Sequence, residues 1–183
     1  MEVKISTKQI LKMLYVISWI IFIGTSIEAG SYIFNAFFAA INPMVVKHLW
    51  HQVDLSKLFT YDAGHFFVET LLMSIVAVMK ACIFYLIVKI LGSKKLDLSQ
   101  PFSKEVGRFI FKVSYLSLAT GLFSYWGVKY TGWLIKQDVE MPDIQNLSLG
   151  GADVWLFMGV TLFVIAEIFK RGIEIQSENE LTV

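Results

Sequence analysis

The stretch from His65 to Leu91, HFFVETLLMSIVAVMKACIFYLIVKIL, decides the fold of this chain. It is almost continuously apolar, and Glu69, Lys80 and Lys89 are its only charged residues. An α-helix rises about 1.5 Å per residue, so a helix of this length crosses the roughly 30 Å of hydrocarbon in a bilayer. We therefore interpret this stretch as a membrane-spanning helix.

Three further segments are also long and predominantly apolar, and they run from about residue 13 to 38, 109 to 134 and 152 to 169. The composition agrees, because 56% of the residues are hydrophobic and only 17% are charged, whereas soluble domains carry about a quarter charged residues. This excludes a disordered chain. The sequence predicts an all-α fold, an integral membrane four-helix bundle, with residues 1–183 forming a single transmembrane domain.

Charge and motifs argue against several functional classes. The net charge of +1 provides no general attraction for nucleic acid, so we expect no direct nucleic-acid binding. The single cysteine, Cys82, cannot form an internal disulfide bond. The sequence has no phosphate-binding glycine loop and no His-Glu-x-x-His or Gly-x-Ser-x-Gly motif. We expect a protein that is not an enzyme and that needs no cofactor.

The distribution of lysine and arginine predicts the orientation in the membrane. These residues are concentrated before the first span, between the second and third spans, and after the fourth span. Because cytoplasmic segments carry the excess of positive charge, we expect both termini in the cytoplasm. The connections on the other side would then be extracytoplasmic.

The residue patterns of two connections on the outer side predict their structure. Asn42-Pro43 is typical of a helix start, with Asn as the cap and Pro in the first turn. Apolar residues then recur at helical spacing at Val45, Val46, Leu49, Trp50 and Val53. This predicts a short amphipathic helix on the outer surface between the first two spans. The later acidic connection, with Asp138, Glu140 and Asp143, is expected to be a solvated loop.

The third span has a predicted start and a predicted packing face. Ser103 is a good N-cap for this helix. The span also carries small residues on one side, and small residues let helices approach closely in lipid. These residues are Ser114, Ser117, Gly121 and Ser124.

Charged residues at membrane depth are costly, so each is a candidate functional residue. From helix rise, Glu28 and Lys80 lie at levels that differ by roughly 10 Å, and their side chains lean toward one another. We expect Glu28 to pair with Lys80 inside the bundle. This pair is either a structural ion pair or part of an ion or proton relay that includes Glu69; alternatively, Lys80 extends to the membrane interface.

The three histidines are all predicted on the outer side, as candidate metal ligands. His48 and His51 lie near Asp54, and His65 lies one helical turn before Glu69. Imidazole and carboxylate groups are suitable ligands for zinc or copper. Such residues also occur together by chance on solvated helix faces, and no cysteine supports the metal reading.

The acidic tail, residues 170–183, is the most unusual segment. It ends in an apolar tip, and its candidate contact residues are Glu174, Glu178, Glu180, Leu181 and Val183. Either this tail folds back on the basic inner connection that contains Lys94, Lys95 and Lys104, or a soluble partner recognises it.

Two stretches carry a resemblance to a known family. They are LSQPFSKE at residues 98–105 and RGIEIQSENELTV at residues 171–183. With these stretches the chain resembles, over nearly its whole length, the bacterial membrane proteins of domain-of-unknown-function family 2975. The resemblance implies a four-helix integral protein of the bacterial inner (cytoplasmic) membrane, linked to a small helix-turn-helix regulator, and it supplies no catalytic residues.

Together these observations favour a non-enzymatic membrane sensor or anchor. We expect its partners to be the lipid bilayer and a cytoplasmic helix-turn-helix transcriptional regulator, and a homo-oligomer is compatible with the sequence. The alternative is a small transporter or channel component that uses Glu28, Glu69 and Lys80.

Overall fold

The chain is helical throughout almost all of the part described by the computed structural model, residues 7–93 and 103–181. Its α-helices are α1 (Thr7–Ile41), α2 (Ser56–Tyr61), α3 (Ala63–Gly92), α4 (Lys104–Lys136) and α5 (Ala152–Leu181). Two 3-10 turns, Pro43–Lys47 and Trp50–Gln52, lie between α1 and α2. These described ranges contain no β-strand.

Four of these helices, α1, α3, α4 and α5, are long and apolar enough to cross a membrane. They contain the four predicted spans, so the all-α, four-span prediction is confirmed and the chain is a multi-pass membrane protein. Each helix extends beyond its predicted span at one or both ends. Hydropathy marks only the part of a helix inside the hydrocarbon, whereas the backbone hydrogen bonding continues past it.

Side-chain caps fix several helix starts. Ser103 accepts a hydrogen bond from the Val106 amide, as predicted, and Glu105 lies in the first turn of α4. Asp62 caps α3 by accepting from the His65 amide at 3.0 Å. These side chains satisfy amides that the first turn of a helix leaves without partners.

The long helices pack in chain order: α1 on α3, α3 on α4, and α4 on α5. The helices α4 and α5 approach closely, because a Cβ atom at Gly121 would lie 2.6 Å from the Leu156 side chain and one at Gly159 would lie 2.7 Å from that of Leu118. The predicted packing role of Gly121 is therefore confirmed. Within the described part of the chain, the result is an open bundle in which α1 and α5 are the edge helices.

The two ends of the bundle differ. One end, here called the basic end, contains the start of α1, the last turn of α3, the start of α4 and the last turns of α5. The other, the loop end, carries the segments at 42–62 and 137–151. Close contacts at Gly92 with Tyr15 and at Gly107 with Ile173 hold the elements of the basic end together.

The segment after α1 differs from the predicted amphipathic surface helix. Instead of one helix it forms the two 3-10 turns and α2, and its apolar side chains are buried in the core of the loop end. Gln52 has a positive φ of 56°, which ends the helical path. The predicted start is correct, because the Asn42 side chain accepts from the Met44 amide. Val46, Leu49, Val53, Leu55 and Leu58 are the buried residues.

The segment between α4 and α5 is also only partly solvated. Its acidic side chains at Asp138, Glu140 and Asp143 are exposed, as expected. Leu147 and Leu149, however, are fully buried in the core of the loop end. The loop thus inserts its apolar residues into the bundle and leaves its charged residues in solvent.

Residues 170–181 of the predicted tail continue α5 as a helix. Within this described part, Ile173 lies against Gly107 of α4, and the predicted docking of the tail on the basic connection stays a prediction. Lys94 and Lys95 of the predicted basic connection lie outside the described residues, as does Val183.

Candidate functional site

A polar cluster at membrane depth joins α1, α3 and the loop before α5. Ser148 Oγ donates a hydrogen bond to Glu28 Oε1 at 2.5 Å and lies 2.9 Å from the Tyr32 hydroxyl. Lys80 Nζ donates to the backbone carbonyl oxygen of Ser148 at 2.9 Å. We call these four residues the Ser148 cluster.

The direction of each hydrogen bond follows from the inventory of donors. The serine hydroxyl has one proton, and an ionised carboxylate can only accept. Because the Ser148 hydroxyl donates its hydrogen bond to Glu28, the Tyr32 hydroxyl is the donor in its hydrogen bond with Ser148. The Tyr32 hydroxyl is also 3.4 Å from Glu28 Oε1. The carboxylate and the ammonium group of Lys80 are thus both bound to polar groups of the protein.

Local structure explains why Ser148 reaches this position. Leu147 and Leu149 on either side are fully buried and anchor the loop in the core. A Cβ atom at Gly127 of α4 would lie 2.8 Å from Leu149, so the absence of a side chain at 127 makes room for this leucine. Ser148 itself has a φ of 57°, a left-handed conformation that turns the chain between the two leucines.

Glu28 and Tyr32 contribute from α1 because they are four residues apart and therefore share one face of the helix. Tyr32 is 2% exposed, and Glu28 and Lys80 are partly buried. The packing of α1 on α3 brings this face toward Lys80. Inward-facing charges with protein partners are the arrangement expected at membrane depth.

Glu28 and Lys80 do not form the predicted direct ion pair. The structure brings both residues to the same cluster, but they share Ser148 as an intermediary, and their side chains form no ion pair within 4.0 Å. Sequence reasoning missed Ser148 because it treated the acidic connection as solvated. The available signal was the Leu147-Ser148-Leu149 alternation, which places one polar residue between two apolar ones.

Glu69 lies in a separate place. Its side chain is fully buried between α3 and α4, where Thr131 Oγ1 donates to Glu69 Oε1 at 2.7 Å. Within the described part of the chain, the second oxygen, Oε2, has no hydrogen-bond partner. Glu69 is about 16 Å along α3 from Lys80. The three residues predicted as one relay therefore occupy two sites, with no described hydrogen bond linking them.

The histidines are dispersed over the loop end. His65 Nδ1 is 2.6 Å from the Tyr130 hydroxyl, and its ring packs with those of Tyr61 and Trp133. His48 is exposed, and the side chain of His51 is not described. Over residues 7–93 and 103–181, no group of three or more His, Cys, Asp or Glu side chains has a geometry suited to a metal ion.

Asp54, the acidic residue near these histidines, has a local structural role. It accepts a hydrogen bond from the Ser56 amide at 2.8 Å. Hydrogen bonds from the side chain and backbone of Ser56 lower the pKa of this exposed carboxyl group. Asp54 therefore helps to start α2.

The predicted contact residues of the tail lie at the basic end. Glu174 pairs with Arg171 of the same helix, with Nη1 to Oε2 at 3.0 Å. Glu178 lies on the exposed surface of α5. The side chains of Glu180 and Leu181 are not described, although their backbone is helical.

A family model described as "Protein of unknown function (DUF2975)" matches residues 54–183. The match includes α2 to α5, and with them Glu69, Lys80 and Ser148, whereas α1 with Glu28 and Tyr32 precedes it. No curated protein and no solved structure matches the chain.

Proposed function

Because the chain belongs to the DUF2975 family of proteins of unknown function, we propose from its structure that it is a non-enzymatic membrane sensor or anchor. In this proposal it lies in the bacterial cytoplasmic membrane with both termini inside, and its basic end binds a cytoplasmic helix-turn-helix regulator. The Ser148 cluster is the part that responds to the membrane or the outer side.

The observation that carries this proposal is the continuity of α5. The helix begins at Ala152, directly after the loop that holds Ser148, and continues without a break to Leu181. Its 30 residues correspond to about 45 Å, compared with about 30 Å of hydrocarbon. A change in the Ser148 cluster would therefore move a single rigid element whose far end projects from the membrane.

The distribution of charge supports the orientation. The basic end carries Lys89, Lys104, Arg108, Lys112, Lys170 and Arg171, in addition to the lysines of α1. Such an excess is typical of the cytoplasmic side. The loop end instead carries the exposed acidic residues of the 137–151 segment.

The end of α5 is suited to a basic partner. Glu174 is engaged with Arg171, and two further acidic residues, Glu178 and Glu180, lie beyond it. Ile173 already packs on α4, so the final two turns are the part that projects. DNA-binding modules have basic surfaces, and attraction between them and this acidic end would weaken as salt screens the charges.

Co-purification from mild detergent tests this proposal. The full chain should retain a soluble protein that itself binds duplex DNA, and a chain ending at Gly172 should lose it. Neutralising the acidic end of α5 with Glu174→Gln, Glu178→Gln and Glu180→Gln should have the same effect. The matched control neutralises three acidic residues of the loop end and should retain the partner. Its substitutions are Asp138→Asn, Glu140→Gln and Asp143→Asn. Equal recovery with all four forms contradicts the proposal.

A second candidate function, a small transporter or channel component, is favoured by the unpartnered Oε2 atom of buried Glu69. A carboxylate in this position could exchange a proton or a cation during transport. Proton flux into liposomes that disappears with Glu69→Gln or Glu28→Gln would support this alternative. Absence of flux from the full chain would exclude it and leave the sensor or anchor.

A further inference from the structure

A cavity of about 340 Å³ opens at the basic end, between the last turns of α3 and the first turns of α4. Three cationic residues line it: Lys89 from α3, and Arg108 and Lys112 from α4. These side chains belong to two helices that pack against each other.

The charge of this cavity is unbalanced. Its one acidic lining residue, Glu105, lies 3.5 Å from Arg108 Nη2. The positive charges of Lys89 and Lys112 remain without an ion pair within 4.0 Å in the described structure. Lys89 is exposed, and its Nζ atom lies over the ring of Tyr85, 5.8 Å from the ring centroid.

The cavity is also lined by Ser93, the C-cap residue of α3, and by three apolar side chains. Leu86 and Ile90 come from α3, and Phe109 comes from α4. All three belong to helices that are long and apolar enough to cross a membrane, so we expect the apolar wall of the cavity to lie next to hydrocarbon. The site thus combines a cationic part with an apolar wall in the same cavity.

We propose that this cavity binds the phosphate headgroup of an anionic phospholipid. Lys89, Arg108 and Lys112 would contact the phosphate, and the acyl chains would lie along Leu86, Ile90 and Phe109. Basic pockets between transmembrane helices bind anionic headgroups in this way. A free phosphate ion would use the cations alone and would leave the apolar wall without an occupant.

This inference does not depend on the proposed partner. A lipid at this position would contact α3 and α4, whereas the proposed partner would contact the end of α5. Loss of lipid selectivity and loss of the soluble partner are therefore separate experimental results.

Retention of lipid by the full chain in native mass spectrometry tests the proposal. The protein is equilibrated in detergent with equal amounts of phosphatidylglycerol and phosphatidylcholine. The unmodified chain should retain the anionic lipid. The double variant Lys89→Gln, Lys112→Gln should bind this lipid on the order of 30-fold more weakly, because each cation near a membrane surface raises the affinity for anionic lipid about fivefold. Lys89→Arg with Lys112→Arg should keep the binding, because it keeps both charges.

The matched control removes two lysines from the opposite end of α4. Lys129→Gln with Lys136→Gln alters exposed residues at the loop end and should leave retention unchanged. Equal retention of the two lipids by the unmodified chain, or full retention by the Lys89→Gln, Lys112→Gln form, overturns the proposal. It is also overturned if inorganic phosphate alone stabilises the protein against heat as much as the anionic lipid does.

Discussion

Ser148 connects two charged residues that form no ion pair with each other. Its hydroxyl donates to Glu28, and its backbone carbonyl accepts from Lys80. At membrane depth neither charge can be solvated well by lipid, so both depend on this residue for part of their solvation. The stability of the cluster should therefore depend on the intermediary as well as on the two charges.

Ser148→Ala should lower the free energy of unfolding by about 1–3 kcal/mol, because it leaves the Glu28 carboxylate without its shortest hydrogen bond. Thermal or denaturant unfolding in detergent measures the change. The control is Ser31→Ala, since the Ser31 hydroxyl bonds only to the Ile27 carbonyl of its own helix. Equal stability of the Ser148→Ala form and the unmodified chain would show that the cluster carries no net stabilisation.

A double-mutant cycle tests the dependence of Lys80 on Glu28. Lys80→Leu alone should destabilise the chain by about 1–3 kcal/mol, because it removes the hydrogen bond to the Ser148 carbonyl and leaves the partly buried Glu28 carboxylate without a nearby cation. Glu28→Leu with Lys80→Leu should restore most of that loss, because no unpaired charge remains. Strictly additive effects in the unfolding free energy would mean that the two residues act independently.

The residues of the site were partly predictable. Intramembrane charge identifies Glu28, Lys80 and Glu69 from sequence, because such residues are rare in apolar spans. Ser148 could not be found in the same way, since a loop serine is common and its role depends on two buried leucines. The separation of Glu69 from Lys80, about 16 Å, follows from their spacing along α3. The hydrogen-bond partner of Glu69, Thr131, lies on a different helix, and sequence spacing along α3 does not reveal it.

Single glycines on the facing surfaces of α4 and α5 allow these helices to approach closely. Gly159 and Gly121 each face a leucine of the other helix at distances too short for a side chain. Close approach increases van der Waals contact, which is a principal source of helix association in lipid. This interface holds α5, the element that the proposed function requires to be rigid.

Gly159→Ala should destabilise the protein by about 1–3 kcal/mol, because the added Cβ would lie 2.7 Å from the Leu118 side chain and 2.8 Å from its backbone nitrogen. The matched control is Gly24→Ala in α1, where an added Cβ meets no atom within 4 Å. That substitution should be neutral or slightly stabilising, because alanine has the higher helix propensity. Unfolding in detergent compares the two, and equal effects would contradict the proposed close contact.

The elements were predictable where one physical constraint governs them. Bilayer thickness requires long apolar segments, so the four spans follow from hydropathy. The segment at 42–62 has the correct Asn42 cap but the wrong predicted path, because its apolar residues pack against α1 and α3 in the core of the loop end instead of against lipid. Likewise, α5 continues past residue 169 because contact with α4 at Ile173 supports the added turns.

As a whole, the molecule is an open row of four helices with different ends. The exposed apolar residues of α5 form a stripe suited to lipid, at Phe157, Val160, Val164 and Ile168. Charged residues concentrate at the two ends, with most of the cations at the basic end. This distribution supports the proposed orientation, in which the basic end is cytoplasmic.

Labelling with a membrane-impermeant maleimide tests this orientation in intact cells. In a chain carrying Cys82→Ser, the Lys136→Cys form should react from outside, because position 136 lies at the loop end. The Lys8→Cys form should react only after the membrane is permeabilised. The opposite pattern would invert the orientation and contradict the proposed cytoplasmic partner.

The loop before α5 is inserted into the bundle through Ser148 and its neighbouring leucines. Maleimide reactivity in opened membranes measures this directly, again with Cys82→Ser as the background. The exposed Asn146→Cys position should react rapidly, and Leu149→Cys should be protected until Glu28→Gln and Lys80→Met are also introduced. If Leu149→Cys reacts as fast as Asn146→Cys while Glu28 and Lys80 are intact, the loop is not inserted into the bundle and Ser148 does not join Glu28 to Lys80.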